Sequence, residues 1–452
     1  MRIPLICALV LLVAPFSAHT GDAQPPPAVG AAVAPAAPAA EPEWQKLAAR
    51  LVPLTDPRQM LSPGLFDSDL QHVITFPKDG SAVNLDLPRN GKDKNGKAVL
   101  PLLARLQQGV VWVDMNGDGK PSPEETRRLS PEGQTEVFNC DLYYDDGSSA
   151  PYSFKLKGLA GSATAPGEKF VLLRSCMRSI EYQGHKIVLL DDNGNGKYND
   201  SERDCIQIDD GPVCFIGRYL AIGDKFYEVL PHAAGLVLEI RPAGKIDMGY
   251  VDMFVKYKPS QKSETLKIHT LIISGPQGSF AFDEKRRILK VPAGSYDLVF
   301  GLFERAKEVV YLKKGDKTSF IVPLNLTATP AWGGLVTSKF ELSTDGQEIT
   351  VGAPQFTGEG SERYVPENFR TVRVQASMAQ VYTDRMKIER VNPAGTERFK
   401  VLPDGDLAPV VLDPLRMAND EYEVAVEYAS GIMGKVTGKQ KIQFVPKKKE
   451  KK

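Results

Sequence analysis

Short runs in which hydrophobic and polar positions alternate recur along most of the chain, and they predict strands. Runs of this kind precede Asp114 and Asp191, as "GVVWV" and "HKIVLL", and "DCIQID" follows the second. β-Branched and aromatic residues in such runs favour strands over helices. Beyond about Ala234 the runs continue between Gly, Pro and Asp residues, as GLVLEI, YVDMFVKY, LKIHTLIIS, RILKVP, YDLVFGLF and SFIVPL. The pattern predicts a mainly β protein built from antiparallel strands.

The spacing of these runs predicts three domains. We expect a β-rich domain over 44–233, an antiparallel β-sandwich over 234–325, and a second sandwich over 326–446 that begins near "NLTATPAWGG".

One segment near the start of the first domain has the hydrophobic period of a helix and not of a strand. In "EWQKLAARLVPL" the large apolar side chains fall on one helical face. The segment is therefore predicted to form a short helix docked on the first domain.

The stretch "VWVDMNGDGKPSPEETRR", which begins at Val111, has the spacing D-x-N-x-D-G-x5-E of a calcium loop. Its candidate ligands are Asp114, Asn116, Asp118, Lys120, Ser122 and Glu125. A hard cation takes roughly six to eight oxygens, so alternate positions of a tight loop point inward, with the Lys120 carbonyl and both oxygens of Glu125 among them. Gly119 lies at the sharp turn, where a residue without Cβ adopts positive φ at low cost. A solvated polar turn is the alternative interpretation.

The stretch "LLDDNGNGKYNDSERD" repeats this spacing. Its candidate ligands are Asp191, Asn193, Asn195, Lys197, Asn199 and Glu202. Asn replaces Asp at the fifth position, so the second loop carries less negative charge than the first. We therefore expect it to bind calcium more weakly.

Both loops resemble the calcium loops of EF-hand proteins, but their flanks do not resemble helix-loop-helix units. Strand-like runs precede each loop, and Pro121 occupies the eighth loop position, where paired EF-hands exchange backbone hydrogen bonds that proline cannot donate. The resemblance implies calcium-binding loops carried on a β scaffold, with Ca²⁺ as the bound ion. It does not imply a calmodulin-type sensor.

The N-terminus predicts export. Arg2 precedes an apolar run from Ile3 to Phe16, and small residues end at Ala23, so residues 1–23 are predicted to be a cleaved signal peptide, with a retained anchor as the alternative. Residues 24–43 form a Pro/Ala-rich linker that cannot build a core. Residues 447–452, "KKKEKK", form a basic tail. We expect a periplasmic, cell-surface or secreted protein, without an integral membrane segment after cleavage.

Four cysteines follow the signal peptide, and all lie in the region of the two loops. Four cysteines allow three pairings, and an exported protein favours disulfides. We predict Cys205–Cys214, across a hairpin turning near Asp210, and Cys140–Cys176. A zinc site is the alternative, although no C-x2-C pair is present.

Two further features bear on the fold. "KVPAGSYDLVF", with Tyr296 after Gly294, resembles the strand-entry corner of prealbumin-like and Ig-like secreted sandwiches, and Tyr422 enters an alternating strand in the same way. The loops and their flanks resemble those of exported bacterial β proteins that carry D-x-[DN]-x-[DN]-G loops, over about the first half of the chain. These resemblances imply a fold and not an activity.

Charge and motifs narrow the function. The 56 basic and 56 acidic side chains balance, which gives no electrostatic reason to bind nucleic acid. No H-E-x-x-H, G-x-S-x-G or P-loop motif occurs, and His72, His185, His232 and His269 have no ligand-like spacing. The sequence predicts an exported, non-catalytic calcium-binding protein whose sandwiches face an extracytoplasmic protein or glycan. An exported hydrolase acting on polysaccharide or peptide, with structural calcium, and a carbohydrate-binding adhesion module are the alternatives.

Overall fold

Strand follows strand through the described part of the chain, as the alternating pattern predicts. The structure is a computed structural model that describes residues 42–54, 61–67, 69–89, 96, 98–131, 133–158, 169–258, 266–306, 308–344, 348–351, 354–366, 386–392, 395–399, 410–411 and 420–445. The predicted signal peptide, nearly all of the predicted linker and the basic tail lie outside these residues. From Pro42 onward the chain belongs to one compact unit.

In the N-terminal half, the described residues form four antiparallel sheets. The strands are β1 Gln45–Ala48, β2 Arg50–Pro53, β3 Val73–Thr75, β4 Val83–Asn84, β5 Leu103–Gln107, β6 Val110–Asp114, β7 Thr126–Arg128, β8 Phe138–Tyr143, β9 Ser149–Gly158, β10 Lys169–Arg174, β11 Cys176–Tyr182, β12 His185–Leu190, β13 Cys205–Ile208, β14 Cys214–Phe215, β15 Tyr219–Ile222, β16 Lys225–Pro231 and β17 Val237–Pro242. The helices are α1 Pro63–Phe66 and a 3₁₀ turn Pro123–Glu125. The sheet orders are β4-β5-β6-β7, β3-β10-β9-β8, β14-β13-β12-β11-β2 and β1-β17-β16-β15.

An eight-stranded sheet dominates the C-terminal half. The strands are β18 Met248–Asp252, β19 Tyr257–Lys258, β20 Lys267–Gly275, β21 Gly278–Phe282, β22 Ile288–Pro292, β23 Gly294–Arg305, β24 Glu308–Lys313, β25 Ser319–Val322, β26 Thr327–Ala328, β27 Trp332–Gly333, β28 Thr337–Lys339, β29 Leu342–Thr344, β30 Glu348–Val351, β31 Gln355–Thr357, β32 Arg363–Pro366, β33 Met386–Asn392, β34 Gly395–Phe399, β35 Val410–Val411, β36 Asp420–Ser430 and β37 Gly434–Phe444. The large sheet runs β21-β20-β23-β24-β32-β31-β28, with β25 on β23, and smaller sheets are β22-β18-β26, β19-β27, β29-β30-β35 and β34-β33-β36-β37.

Most strand pairs are antiparallel, and β18/β26 and β19/β27 are parallel pairs. The mainly β fold class is therefore confirmed. Within the part of the chain that the structure describes, no helix combines the length and the apolar character needed to cross a membrane.

The prediction of a helix from Trp44 to Leu51 is wrong. This segment forms β1 and β2, which place Leu47 opposite Leu238 and Leu51 opposite Arg178. Each strand extends the end of an existing sheet, so its backbone groups gain ladder hydrogen bonds that periodicity within one segment cannot indicate.

Buried side chains form three hydrophobic clusters. The first is built by strands between residues 74 and 240, and the second by strands between 251 and 436. The third cluster, which we call the junction core, joins the two halves of the chain. Its members are Leu54, Met177, Val188, Leu190, Cys205, Val213, Phe215, Ile272, Phe300, Leu302 and Tyr311.

The sheets continue across both predicted domain boundaries. Strand β17 follows the boundary at 233/234, yet it pairs with β16 and buries Leu238 and Ile240 in the first cluster. Strand β32 follows the boundary at 325/326, yet it pairs with β24. The division into three domains therefore stays a prediction.

Tyr296 occupies the corner that its sequence context predicts. It enters β23 after the turn from β22, its side chain is buried, and its hydroxyl donates a hydrogen bond to the carbonyl of Pro292 at 2.8 Å. A hydroxyl satisfied in this way lets the ring stay in the second cluster. The hydrogen bond connects β23 to the last residue of β22.

We expect Leu302→Ala to lower the free energy of unfolding by about 2–5 kcal/mol, because it removes a fully buried side chain of the junction core. Urea denaturation followed by intrinsic fluorescence measures the change. The matched control is Leu324→Ala, whose side chain is 51% exposed and whose loss should cost less than about 0.5 kcal/mol. Equal effects of the two substitutions would contradict the junction core.

Candidate metal centres

The first loop connects two neighbouring strands of one sheet. Asp114 is the last residue of β6, the loop returns through the 3₁₀ turn, and β7 pairs with β6. Gly117 and Gly119 take φ of 75° and 70°, a region that favours glycine. The sharp turn predicted at Gly119 is therefore present.

Asp114 organises the loop backbone. Its carboxylate is buried and accepts hydrogen bonds from the Gly117 N–H at 2.8 Å and the Gly119 N–H at 3.1 Å. The side chains of Asn116 and Asp118 accept from the N–H groups two residues further on, at 2.8 and 2.7 Å. These local bonds wind the backbone tightly around the first loop position.

Glu125 closes the first loop. Its side chain is 2% exposed, and its Oε1 accepts hydrogen bonds from the Met115 and Asn116 N–H groups at 2.8 and 3.0 Å. Its Oε2 is buried and has no hydrogen-bond partner. An unpaired buried polar atom costs about 1–3 kcal/mol, and more when it is charged. The loop therefore contains an orphaned anionic oxygen at the position where an EF-hand loop binds its ion.

The other predicted ligands of the first loop lie nearer to solvent. Asn116, Asp118 and Lys120 are exposed, and Ser122 is half-buried. The Ser122 carbonyl accepts from the Glu125 N–H at 3.1 Å and so starts the 3₁₀ turn. All six predicted residues thus lie in one loop, with its two ends buried.

The second loop repeats the winding of the first. It joins β12 to β13, and Asp191 accepts from the N–H groups of Gly194 and Gly196 at 2.9 and 2.7 Å. Asn193 and Asn195 accept from N–H groups two residues on, at 3.0 and 2.8 Å. In both loops the side chains of the first, third and fifth residues accept these backbone hydrogen bonds. The shared sequence pattern therefore produces a shared backbone conformation.

Asp191 differs from Asp114 in its depth. It is fully buried and also accepts a hydrogen bond from the Tyr152 hydroxyl at 2.5 Å. Gly196 lies against Leu142, and a Cβ added to it would come within 2.7 Å of that side chain. The second loop is therefore packed into the first hydrophobic cluster.

The structure does not bring Glu202 to the second loop. Glu202 is exposed, with a φ of 63°, and its Oε1 accepts from the Ser274 hydroxyl at 3.4 Å. Asn199 and Lys197 are exposed as well. Glu202, the predicted closing ligand, therefore lies in an exposed turn just before β13 and contacts Ser274, and its role as a ligand stays a prediction.

Asp204 makes a contact in the second loop that corresponds to one made by Glu125 in the first loop. It is fully buried, its Oδ1 accepts from the Asp192 N–H at 3.2 Å, and its Oδ2 accepts from the Asp200 N–H at 2.8 Å. In each loop the N–H of the second residue donates this hydrogen bond. Asp192 donates to Asp204, and Met115 donates to Glu125. Sequence spacing missed Asp204 because it lies two positions beyond the EF-hand pattern.

Asp200 adds a third carboxylate to the second loop. Its Oδ2 accepts from the side-chain amides of Asn193 and Asn195 at 3.1 and 2.5 Å. Burial raises the pKa of Asp191 to about 6. Burial also raises the pKa of Asp204 well above its ordinary value, and the neighbouring charges of Asp191 and Asp200 add to this. The raised pKa values mean that the surroundings of the loop disfavour the charged forms of Asp191 and Asp204.

Side chains alone do not form a metal cage in the described residues. No group of three or more His, Cys, Asp and Glu there is placed to hold a metal ion. A cation in either loop would therefore need amide and backbone oxygens as well as carboxylates. Such mixed oxygen ligation is typical of calcium loops.

Neither predicted disulfide is present, and Cys140, Cys176, Cys205 and Cys214 are free. Cys205 lies opposite Phe215 and Cys214 lies opposite Ile206, so the hairpin offsets the two cysteines by one residue. Cys140 and Cys176 lie on strands of different sheets. Turn geometry and sheet assignment, which decide the pairing, are not visible in cysteine spacing.

The four histidines and a surface groove are the remaining candidates for a functional site. His185, His232 and His269 each contact a single carboxylate, and His72 bonds the Leu85 carbonyl. A surface groove of about 690 Å³ is lined by polar, basic and aromatic side chains and one carboxylate: Ser338, Lys339, Phe340, Glu341, Gln355, Lys439 and Gln440.

Comparisons with known proteins supply no family. No protein-family model and no curated protein matches the chain. Among solved structures, it is similar to "The Bacillus anthracis TIE protein", with a TM-score of 0.15 and 12% sequence identity over 83% of this chain and 57% of that chain. The chain thus spans little more than half the length of that protein.

We expect four thiols in denatured, unreduced protein that lacks the predicted signal peptide. In the native protein these thiols should react slowly, because burial raises the pKa of Cys140 to about 12 and also raises that of Cys205, and the thiolate is the reactive form. Titration with a chromogenic disulfide, before and after denaturation, measures both quantities. A count of zero after denaturation would contradict the free cysteines.

Proposed function

We propose that this is an exported, non-catalytic protein that binds calcium in two structural loops, and that its sandwiches contact a protein or glycan outside the cytoplasm. One observation carries the calcium part of the proposal. The Oε2 atom of Glu125 is buried without a hydrogen-bond partner at the closing position of a loop with full EF-hand spacing. A buried carboxylate in this situation needs a counter-charge.

Calcium suits the first loop for chemical reasons. The candidate ligands are all oxygens, from two buried carboxylates, exposed side chains and the Lys120 carbonyl. Calcium accepts six to eight or so oxygens in flexible geometry, whereas magnesium requires a near-ideal octahedron and gives up water reluctantly. A loop that mixes carboxylate, amide and carbonyl oxygens therefore favours calcium.

The second loop supports a further calcium site with a different ligand set. We assign Asp191, Asn193, Asn195 and Asp204 to it, with Asp200 beside them, and with Asp204 in the closing role in place of Glu202. Burial and the charges of Asp191 and Asp200 together raise the pKa of Asp204, and a divalent cation would offset the unfavourable charge.

The position of the loops favours a structural role. Each loop joins adjacent strands, and the second is held in the first cluster, where the Tyr144 hydroxyl donates to the Gly196 carbonyl at 2.7 Å. An ion bound there would hold strand ends together. The proposal of export depends on the predicted signal peptide, and extracellular calcium modules work with dissociation constants of roughly 0.1 to 1 mM.

We expect Glu125→Gln to abolish calcium binding at the first loop, because it removes the charge of the closing ligand. Titration calorimetry should lose one binding event. The calcium-dependent gain in unfolding free energy should fall by about 2.7 kcal/mol at a hundred times the dissociation constant. The matched control is Glu124→Gln, since Glu124 is the exposed neighbour. Undiminished binding by Glu125→Gln would refute this site.

We expect Asp204→Asn to weaken calcium binding at the second loop at least tenfold and Glu202→Gln to leave it unchanged. Asp204 is fully buried beside the loop, whereas Glu202 points away from it. Calorimetry in the Glu125→Gln background isolates the second loop. If Glu202→Gln weakens binding more than Asp204→Asn does, the ligand assignment is wrong and the sequence spacing is right.

A further inference from the structure

Asp192, which follows the candidate ligand Asp191, faces a buried polar cluster on the other side of the loop. Its carboxylate accepts hydrogen bonds from the Gly64 N–H at 2.6 Å, from Arg174 Nη1 at 2.5 Å and from the Ser62 hydroxyl. Ser62 and Arg174 are also buried and bond each other at 2.9 Å. Two consecutive aspartates therefore connect the candidate metal centre to residues 61–67.

Backbone contacts strengthen this connection. Gly64 lies so close to the loop that an added Cβ would be 1.9 Å from the Asp192 carbonyl oxygen. Further along the same segment, the His72 N–H donates to the Asn193 carbonyl at 2.8 Å. The segment is thus fastened to the second loop at two places, and a shift of the loop backbone would move it.

The same segment packs against the eight-stranded sheet. The ring of Phe66 lies 6.2 Å from the ring of Tyr311 on β24, and Phe66 contacts the junction core. Lys313, also on β24, forms ion pairs with Asp67 and Asp69. Residues 61–67, 69 and 70 are therefore an intermediate layer between the second loop and the C-terminal half of the chain.

Two additional contacts run from the second loop directly to the junction. The Ser274 hydroxyl on β20 donates to Glu202 at 3.4 Å. Cys205, the first residue after the loop, is buried in the junction core and its thiol donates to Asp192 at 3.3 Å. The exposed position of Glu202 thus has a structural consequence, because it directs that side chain toward the other half of the chain.

The first loop has a different environment. Its described contacts return to the N-terminal half, where Arg89 donates to the Met115 carbonyl at 2.8 Å and Leu100 packs against Gly117. The two loops share a winding but differ in what they touch. The first loop therefore serves as an internal control for the second.

We infer that calcium in the second loop controls the attachment of residues 61–72 to the eight-stranded sheet, and so couples ion binding to the junction between the halves of the chain. This inference rests on the proposed calcium site. An ion that fixes Asp191 and Asp204 fixes Asp192 between them and the Ser62 cluster. Opening of the segment would then require release of the ion.

The expected change in amide exchange follows from the thermodynamic linkage between calcium binding and opening of the segment. If opening of residues 61–72 requires ion release, calcium at about a hundred times its dissociation constant reduces that opening about a hundredfold. Amide exchange of the Asp67 and His72 N–H groups, which bond Pro63 and Asn193, should slow by up to that factor. Exchange in β20 should slow as well, because β20 shares the junction core.

The test is hydrogen–deuterium exchange of the full chain with calcium and with chelator, combined with titration calorimetry of each variant. Calcium should protect 61–72 and 267–275 in the unmodified protein and in Glu125→Gln, and at the same calcium concentration the protection should be about tenfold smaller in Asp204→Asn. Ser62→Ala should still bind calcium at the second loop but lose most of the protection of 61–72. Ser148→Ala, in an exposed turn, is the matched control and should behave as the unmodified protein.

The outcomes separate the two proposals. Calcium binding at the second loop with protection confined to 191–204 would overturn the coupling and leave the metal site standing. Equal protection of 61–72 in Asp204→Asn and in the unmodified protein would also overturn it. A calorimetric titration without calcium binding would overturn the metal site and the coupling together.

Discussion

A carboxylate removed from water must have its charge compensated by donors or by a cation, and both loops are built around this constraint. Asp191 is fully buried and is surrounded by backbone N–H groups and the Tyr152 hydroxyl. Asp114 likewise accepts hydrogen bonds from backbone N–H groups of its own loop. The donors wind each loop around its first residue. At Glu125 compensation is incomplete, because its Oε2 is buried without a hydrogen-bond partner.

Glycine decides how deeply each loop is packed. An added Cβ at Gly194 would lie 2.5 Å from the Leu172 carbonyl oxygen, whereas Gly119 has open space around it. The second loop therefore lies against other strands, and the first extends into solvent. Burial gives the second loop neighbours on several sides. It can for that reason influence parts of the fold that the first loop does not touch.

The junction core explains why the two halves need not behave as independent domains. Leu302 and Tyr311 from the C-terminal half share it with Val188 and Cys205 from the N-terminal half. Such a core transmits displacements, because packed side chains have few alternative arrangements. The free cysteines agree with this view, since Cys205 contributes packing and a weak donor and not a covalent crosslink.

The sequence by itself determined the mainly β fold, the two loop windings and the corner at Tyr296, because these depend on alternation, on glycine and on hydrogen bonds between near neighbours. Tertiary structure alone decided the rest. Gln45–Ala48 and Arg50–Pro53 became strands because the edges of two sheets accept them. Glu202 is exposed in the turn before β13, whereas Asp204 is buried beside the loop. The cysteines stayed apart because register and sheet assignment separate them. Each of these outcomes depends on contacts between segments distant in the chain, which no local spacing records.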